Sequence, residues 1–261
     1  MRRYVALGSS MAAGPGILPR AKGAPFFAGR SARNYPHLVA DRLGLDLVDV
    51  TYSGATTAHV LTDHQPGAPA QIEAIDGTED LVTVTIGGND VGYVPLLFAA
   101  GLPRFVRAVP LLGDRVRRQL DPAERDRALA QIRDSLTRVG QTVRERAPAA
   151  RVLFVDYLTL LPGDGTPAPP LSDTDVAIGL HVADELARAT AEAAAFTGCE
   201  LVRVAEHSID HHAWSADPWT TRVGLPVPWR PAPLHPTAAG MRAVADLIVA
   251  QVFGSDDADS D

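Results

Sequence analysis

Five short apolar runs, separated by longer amphipathic stretches, constrain the fold of this chain more than any other feature of its sequence. The third run, LVTVTI at 81–86, is typical because it is almost continuously apolar and rich in β-branched residues. Runs of this kind predict the strands of a parallel sheet that is covered by helices on both faces. The predicted strands occupy residues 4–7, 47–51, 81–86, 151–156 and 200–205.

The stretches between the strands carry the start and stop signals of helices. Asp121 and Pro122 open a long periodic stretch, and Pro148 follows its end. Gly198 is suited to the left-handed position that ends a helix. Strands that alternate with helices indicate βαβ crossovers and a three-layer α/β/α domain. The predicted helices occupy residues 34–43, 122–147, 174–197 and 237–253.

Length and charge indicate how the chain is organised. Its 261 residues show no internal repeat and no linker, so we predict a single domain over residues 1–253. Residues 254–261 carry four of the aspartates behind the net charge of −7, and we expect this acidic tail to be disordered. The remaining body is only mildly acidic, which argues against a nucleic-acid partner.

Three features of the sequence bear on the cellular compartment. No run of about 18 apolar residues is present, so we expect no stable insertion into a membrane. Cys199 is the only cysteine, which excludes an intrachain disulfide. The apolar part of the N-terminal MRRYVALGSS is too short for a secretory signal. We therefore expect a cytoplasmic protein, and no feature of the sequence indicates its oligomeric state.

Residues suited to acyl transfer follow the predicted strands. In open parallel sheets, ligands bind beyond the carboxyl ends of the strands. A serine nucleophile needs a nearby base, usually histidine, and the tetrahedral intermediate needs N–H donors for its oxyanion. The sequence supplies GSS at 8–10, SG at 53–54, GGND at 87–90 and PLHP at 233–236. Together these residue types predict a nucleophilic acyl-transfer site.

The same four blocks resemble those of the SGNH (GDSL-type) hydrolases, which include esterases and lipases. The blocks are YVALGSSMAAGPG, VTYSGATTAHVL, VTVTIGGNDVGY and PLHPTAAGMRAVADLI, which lie in family order and span residues 4–248. The loop DHHAWSADPW at 210–219 is similar to a loop of some actinobacterial GDSL-type esterases. The resemblance implies a flavodoxin-like fold with a five-stranded parallel sheet, and cofactor-free hydrolysis of carboxylic esters through an acyl-enzyme.

The resemblance also implies a role for each signature residue. Ser10 is the implied nucleophile, and His235 is its general base and then the general acid for the leaving alcohol. The backbone N–H groups of Ser10 and Gly54 and the side chain of Asn89 form the implied oxyanion hole. Ser9 stands where the family usually has aspartate. Of the two adjacent hydroxyls, Ser10 is favoured because it occupies the third position of the block.

The residue that orients His235 is the point where the chain departs most from the family. The family's acid stands three residues before the histidine, and here that position is Ala232. A backbone carbonyl, most simply that of Ala232, is one possible acceptor for the ring Nδ1–H. Asp210 or Asp217 is a second source of an orienting group, and a slow or inactive enzyme is the third outcome.

Two segments are longer and less regular than a compact α/β core requires. Residues 206–234 contain all three tryptophans, and residues 92–120 are apolar, rich in arginine and interrupted by prolines. The apolar side chains at 93–112 follow the GGND block and suit either a wall for an acyl chain or ordinary core. The sequence does not indicate whether residues 93–120 move as a lid.

The histidines within residues 206–234 are candidates for a metal site. His207, Asp210, His211 and His212 are residue types that bind zinc. Adjacent histidines do not readily bind one metal ion together, so we expect an exposed loop without a metal.

We therefore predict an enzyme that hydrolyses small carboxylic esters with an apolar acyl or alcohol part. An O-deacetylase acting on a sugar or a glycosylated metabolite is the nearest alternative, and thioesterases and acyltransferases use the same groups. A non-catalytic binding protein on the same fold is the alternative from another class. Ser9 and Ala232 favour it, whereas the four blocks together argue against it.

Overall fold

A parallel β-sheet forms the centre of the fold. A computed structural model describes residues 2–102, 121–163 and 165–256. Within these residues, five strands form a sheet in the order β2-β1-β3-β4-β5, and each neighbouring pair is parallel. The predicted α/β class with a five-stranded parallel sheet is confirmed. The strands are β1 Arg3–Gly8, β2 Asp46–Asp49, β3 Glu79–Thr85, β4 Arg151–Val155 and β5 Glu200–Val202.

The three longest helices begin within one residue of their predicted starts. The side chain of Asp121 accepts the Ala123 N–H at 3.0 Å, and Ser172 and Asp175 form a reciprocal capping box. The α-helices of the described residues are α1 Ser10–Ala13, α2 Tyr35–Leu43, α3 Thr57–Leu61, α4 Tyr93–Gly101, α5 Pro122–Arg146, α6 Asp173–Phe196, α7 Val204–His207 and α8 Ala238–Asp256. Short 3-10 helices cover Phe26–Ala28, Gln71–Ala74 and Ile209–His211.

The two faces of the sheet pack against different helices. Successive side chains of a strand point to opposite faces, and β1 shows this directly. Tyr4 and Ala6 belong to a core that includes Val39 of α2 and Met241 of α8. Val5 and Leu7 belong to the core on the other face, which includes Ile132 and Leu136 of α5 and Leu186 of α6. The three-layer arrangement therefore follows from strands that are apolar on both faces.

Two predicted element ends differ from the structure by three residues each, and the other predicted bounds differ by at most two. Residues 204–205, predicted as strand, lie in α7, because the buried carboxylate of Asp156 accepts the Ala205 N–H at 2.9 Å and caps that turn. The last helix continues to Asp256, so three residues assigned to the acidic tail are helical. Arg151 donates to the carbonyl groups of Gln251 and Val252 and so supports the end of this helix. Residues 257–261 lie outside the described residues.

Only part of the apolar segment at 92–120 belongs to the described residues. Tyr93, Leu96 and Leu97 of α4 are buried in the core beside α6, so these side chains serve ordinary packing. The expectations for residues 103–120, including an acyl-chain wall and a lid, lie outside the described residues. Among the helices that the structure describes, none combines the length and the apolar character that a membrane span requires.

Candidate active site

The nucleophile candidate lies on a tight turn between β1 and α1. Gly8 ends the strand, Ser9 is extended, and Ser10 is the first residue of the helix. A Cβ at Gly8 would lie 2.7 Å from the carbonyl oxygen of Thr85, so only glycine fits there. The Ser9 N–H donates to the same carbonyl at 2.9 Å. Contacts with β3 therefore determine where Ser10 is placed.

A buried glutamine holds the turn from the other side. The side chain of Gln71 accepts the Gly8 N–H at 2.7 Å and donates to the Gly8 carbonyl at 3.0 Å. The Tyr52 N–H donates to that carbonyl as well, at 2.9 Å. No local sequence motif marks Gln71, because its contact with Gly8 joins residues that are 63 positions apart.

Ser10 and His235 are in hydrogen-bonding contact. The Nε2 atom of His235 lies 2.8 Å from the Ser10 Oγ, although the two residues are 225 positions apart. The Nδ1 atom of the same ring lies 2.7 Å from the carbonyl oxygen of Pro233. A carbonyl only accepts, so Nδ1 carries the proton of the neutral ring and Nε2 accepts the serine hydroxyl. This is the arrangement that a general base requires.

The surroundings of the imidazole favour its neutral form. Burial lowers the pKa of His235, and the hydrogen bond to the Pro233 carbonyl offsets only part of this effect. A histidine with a pKa below its usual value of about 6.5 is uncharged at neutral pH. His235 is therefore in the protonation state that can accept a proton from Ser10.

The acceptor for the ring differs from the residue expected first. The carbonyl of Ala232 accepts the hydroxyl of Thr221 at 2.6 Å, so it is already engaged. The Pro233 carbonyl takes its place because Leu234, a buried residue, has a φ of 61°. This left-handed conformation turns the backbone so that the carbonyl of residue 233 reaches the ring of residue 235. The expected backbone acceptor is thus present one residue further along the chain.

The two aspartates considered as orienting groups make no contact with His235 among the described residues. The carboxylate of Asp217 lies 3.5 Å from the Nδ1 atom of His211, whose ring stacks on Trp219 with centroids 3.8 Å apart. Asp210 influences the pKa of His212, which burial lowers and the aspartate raises. In the described part of the chain, neither carboxylate contacts His235, and no three or more His, Cys, Asp or Glu side chains are grouped as metal ligands.

Two of the three predicted oxyanion groups, Gly54 and Asn89, lie on loops that are bonded together. The Asn89 side chain donates to the carbonyl of Ala55 at 2.8 Å, next to Gly54. Asp90 accepts the backbone and hydroxyl hydrogens of Thr57, so its role is to join these loops. Gly54 has a φ of 79°, which glycine adopts without strain, and the space beside its Cα is open.

Two backbone donors of the site have no protein acceptor. Among the described residues, neither the Ser10 N–H nor the Gly54 N–H donates to another protein group. The Ser10 N–H is unpaired because it belongs to the first turn of α1. Two unpaired N–H groups and the second amide hydrogen of Asn89 are the kind of donors that stabilise an oxyanion.

Ser9 is directed toward a tyrosine. Its buried hydroxyl lies 3.1 Å from the hydroxyl of Tyr157, which accepts the Gly88 N–H at 2.9 Å. Burial raises the pKa of Tyr157 to about 12, so this hydroxyl keeps its proton. Sequence analysis missed Tyr157, although it follows the carboxyl end of β4, where residues that reach the site are expected.

Comparison with known proteins agrees with the fold and shows the family. A model of the GDSL-like lipase/acylhydrolase family matches residues 6–243. The chain belongs to this family. Lipase 2 of Streptomyces coelicolor is 34% identical over 255 residues, which cover 93% of this chain and 83% of that lipase. A lipase of Streptomyces rimosus is 30% identical over 247 residues, which cover 91% of this chain and 81% of that protein.

Solved structures give the same result. Phospholipase A1 from Streptomyces albidoflavus NA297 superposes with a TM-score of 0.78 at 26% identity, over 96% of this chain and 98% of that one. The extracellular lipase from Streptomyces rimosus superposes with a TM-score of 0.77 at 29% identity, over 97% of this chain and 99% of that one. The predicted SGNH hydrolase fold is confirmed, and the protein is a carboxylic ester hydrolase.

Proposed function

We propose that this enzyme hydrolyses carboxylic esters through an acyl-enzyme on Ser10, with the side chain of His235 relaying the proton. The observation that carries the proposal is the pair of contacts of one imidazole, 2.8 Å to the Ser10 Oγ and 2.7 Å to the Pro233 carbonyl. The ring is thereby oriented without a carboxylate. A Ser–His dyad with a backbone carbonyl in place of the acid is the mechanism that this geometry supports.

The chemistry proceeds in two balanced steps. The Ser10 Oγ attacks the ester carbonyl while its proton passes to Nε2 of His235, and the imidazolium then donates that proton to the leaving alcohol. The acyl-enzyme remains. A water molecule gives a proton to the same nitrogen as it attacks, and the proton returns to Ser10 when the acid leaves. His235 is neutral again after each step.

The oxyanion of both tetrahedral intermediates needs donors that are already in place. The Ser10 and Gly54 N–H groups lack protein acceptors among the described residues, and the hydrogen bond to Ala55 holds the Asn89 amide. We assign these three groups to the oxyanion hole. Loss of one such donor costs about 10²- to 10³-fold in turnover in well-studied hydrolases.

A backbone carbonyl and a carboxylate, as acceptors of the His235 Nδ1–H, affect proton transfer by this histidine differently. A carboxylate stabilises the imidazolium that forms during the reaction by attraction between opposite charges, whereas a neutral carbonyl carries only a dipole and stabilises it less. The lowered pKa of His235 agrees with this difference. We therefore expect a base that is weaker, but correctly oriented and available at mildly acidic pH.

The test is hydrolysis of p-nitrophenyl esters from acetate to long acyl chains. Ser10→Ala should lose at least about 10³-fold in kcat, the size of effect typical of nucleophile removal. Ser9→Ala is the matched control, because it removes the neighbouring buried hydroxyl that bonds to Tyr157 rather than to His235.

Labelling with a fluorophosphonate, followed by peptide mapping, identifies the nucleophile independently. We expect the label on Ser10. A label on Ser9, or full turnover in Ser10→Ala, would overturn the assignment. Absence of both turnover and label in the wild type would favour the non-catalytic alternative.

A further inference from the structure

An arginine contacts the loop of residues 51–55, here called the glycine loop, which carries Gly54 of the assigned oxyanion hole. The Nε and Nη2 atoms of Arg30 both donate to the carbonyl oxygen of Thr51, at 3.0 Å and 2.8 Å. The Arg30 side chain is 12% exposed, so these hydrogen bonds are shielded from most of the solvent. Two donors of one guanidinium on a single oxygen give the glycine loop a charge-assisted support at its first residue.

The Thr51 carbonyl belongs to a peptide group that also contacts the nucleophile turn. The N–H of the same peptide, that of Tyr52, donates to the Gly8 carbonyl at 2.9 Å. Gly8 lies two residues before Ser10. One planar peptide therefore has Arg30 bonded to its oxygen and the nucleophile turn bonded to its hydrogen. Hydrogen bonds in such a chain polarise one another, so the donation by Arg30 also strengthens the bond from Tyr52 to Gly8.

The chain on either side of Arg30 is bonded to the same two parts of the site. On one side, the carbonyl of Ala28 accepts the backbone N–H of Ser53 at 3.0 Å and its hydroxyl at 2.8 Å, within the glycine loop. On the other side, the Ser31 N–H donates at 2.8 Å to the carbonyl of Ala13, the last residue of α1. The base of the Arg30 side chain is therefore held between the nucleophile helix and the glycine loop.

A buried carboxylate keeps the guanidinium in this position. The Oδ1 atom of Asp49 lies 3.3 Å from the Arg30 Nε, and the Asp49 side chain is only 4% exposed. The same carboxylate accepts the backbone N–H of Thr51 at 2.9 Å and its hydroxyl at 2.7 Å. Burial lowers the pKa of Arg30 and Asp49 offsets part of this effect, but arginine is not deprotonated in proteins. The cation is thus paired and directed at one end of the glycine loop.

We propose that Arg30 is a positioning residue for this reaction, which sets where the Gly54 N–H lies relative to the Ser10 nucleophile. It acts through the Thr51–Tyr52 peptide and not by contact with the reacting atoms. Arginine suits this task because its planar fork places two donors on one oxygen, whereas lysine offers a single compact ammonium group. The inference rests on the proposed function and deepens it, because the Gly54 N–H affects turnover only if it binds the oxyanion.

The variant Arg30→Lys tests the proposal without leaving Asp49 unpaired. Lysine can keep a cation beside that carboxylate but loses the fork on the Thr51 carbonyl. We expect kcat on a soluble p-nitrophenyl ester to fall about five- to tenfold with KM within about twofold, because a displaced oxyanion donor weakens the transition state more than the ground state. The affinity for a boronic acid that forms a tetrahedral adduct with serine should fall by the same factor as kcat/KM.

Rescue by guanidinium distinguishes positioning from a general loss of structure. Arg30→Ala should show a similar loss of kcat and regain at least about threefold in about 0.05 M guanidinium chloride, but not in the same concentration of NaCl. The planar ion can refill the space of the side chain and donate to the Thr51 carbonyl. This concentration is far below that which unfolds proteins of this size. If Arg30→Ala does not fold, Arg30→Lys still decides the question.

Arg144→Ala is the matched control. Arg144 is also partly buried and also donates to a backbone carbonyl, that of Ala150 at 2.7 Å, but this residue precedes β4 and so lies at the opposite edge of the sheet from the site. The control variant should keep kcat within about twofold in both salts. Circular dichroism verifies that each variant is folded.

Two results would overturn the positioning role. One is an unchanged kcat in folded Arg30→Lys, and the other is a guanidinium ion that raises the melting temperature of Arg30→Ala without raising kcat. If the wild type hydrolyses the ester and Ser10→Ala does not, either result rejects the role of Arg30 and leaves the proposed function standing. If the wild type neither hydrolyses an ester nor binds the boronic acid, the proposed function is rejected and this inference falls with it.

Discussion

The two halves of the proposed catalytic pair are held by different kinds of structure. Ser10 lies at the end of a central strand, where β3 and the buried side chain of Gln71 hold the turn. His235 lies in a partly exposed loop that other loops support, chiefly through Thr221. The serine side is thus part of the core, whereas the histidine side depends on a few contacts outside it. Changes near the two sides should therefore have different consequences.

Of the substitutions that leave Ser10 and His235 in place, Tyr157→Phe should have the largest effect, and it acts on the serine side. The variant removes the hydroxyl that joins Ser9 to the Gly88 N–H, next to Asn89. We expect kcat to fall roughly 10- to 100-fold with a smaller change in KM, because a displaced oxyanion donor weakens the transition state more than the ground state. Steady-state kinetics on a soluble ester measure this split.

Tyr4→Phe is the control for Tyr157→Phe. Tyr4 is also fully buried and also shares a hydroxyl–hydroxyl bond, at 2.7 Å to Thr83, but it lies on the other face of the sheet. Both variants should lose about 1 kcal/mol of stability. If they reduce kcat equally, Tyr157 has only a structural role.

The pH dependence of kcat/KM tests how His235 is held on the histidine side. Protonated His235 has no lone pair for the Ser10 proton, so kcat/KM falls as pH falls through the pKa of His235. Burial places that pKa below its usual value of about 6.5, so activity should be constant above it and fall tenfold per pH unit well below it. An acid limb centred above about pH 7 would indicate a carboxylate partner instead.

Thr221→Val should weaken the histidine side by a smaller amount. Its hydroxyl donates to the Ala232 carbonyl at 2.6 Å and accepts the His235 N–H at 3.2 Å. We expect kcat to fall about three- to tenfold as the ring becomes less well oriented. The neighbouring Thr220→Val removes a hydroxyl that bonds to the Thr159 carbonyl instead, and it should leave kcat within about twofold.

The smallest effect is expected from Asp210→Asn and Asp217→Asn. Neither carboxylate contacts His235 in the described residues, so each variant should keep kcat within about twofold of the wild type. Ester kinetics on both variants test this directly. A loss of about 10³-fold in either one would identify that residue as the acid and refute the dyad.

The sequence predicted the serine side better than the histidine side, for physical reasons. Apolar runs and the positions of glycine and proline depend on local chain properties, and they located all five strands. The contacts of Gln71 and Tyr157 join distant parts of the chain and have no local signature. The predicted end of β5 was wrong because residues 204–205 belong to α7. The carboxylate that caps this helix comes from Asp156, in the loop after β4.

The orientation of His235 depends on a backbone conformation of Leu234 that sequence patterns do not predict. Leucine rarely adopts positive φ, and nothing near residue 234 marks it as an exception. The sequence suggested a backbone carbonyl as one acceptor and named Ala232, whereas the ring contacts the carbonyl of Pro233. Only the three-dimensional path of the loop distinguishes the carbonyl of Pro233 from that of Ala232.

A main-chain acceptor changes which positions of this enzyme are open to mutation. Every amino acid has a carbonyl, so no codon change at position 233 removes the group that orients His235. A carboxylate in its place would be lost through a single nucleotide change. The genetic vulnerability moves to position 234, where leucine adopts a φ of 61° only with strain and its fully buried side chain must maintain that conformation. Selection on this relay therefore acts on the shape of the chain more than on the identity of a side chain.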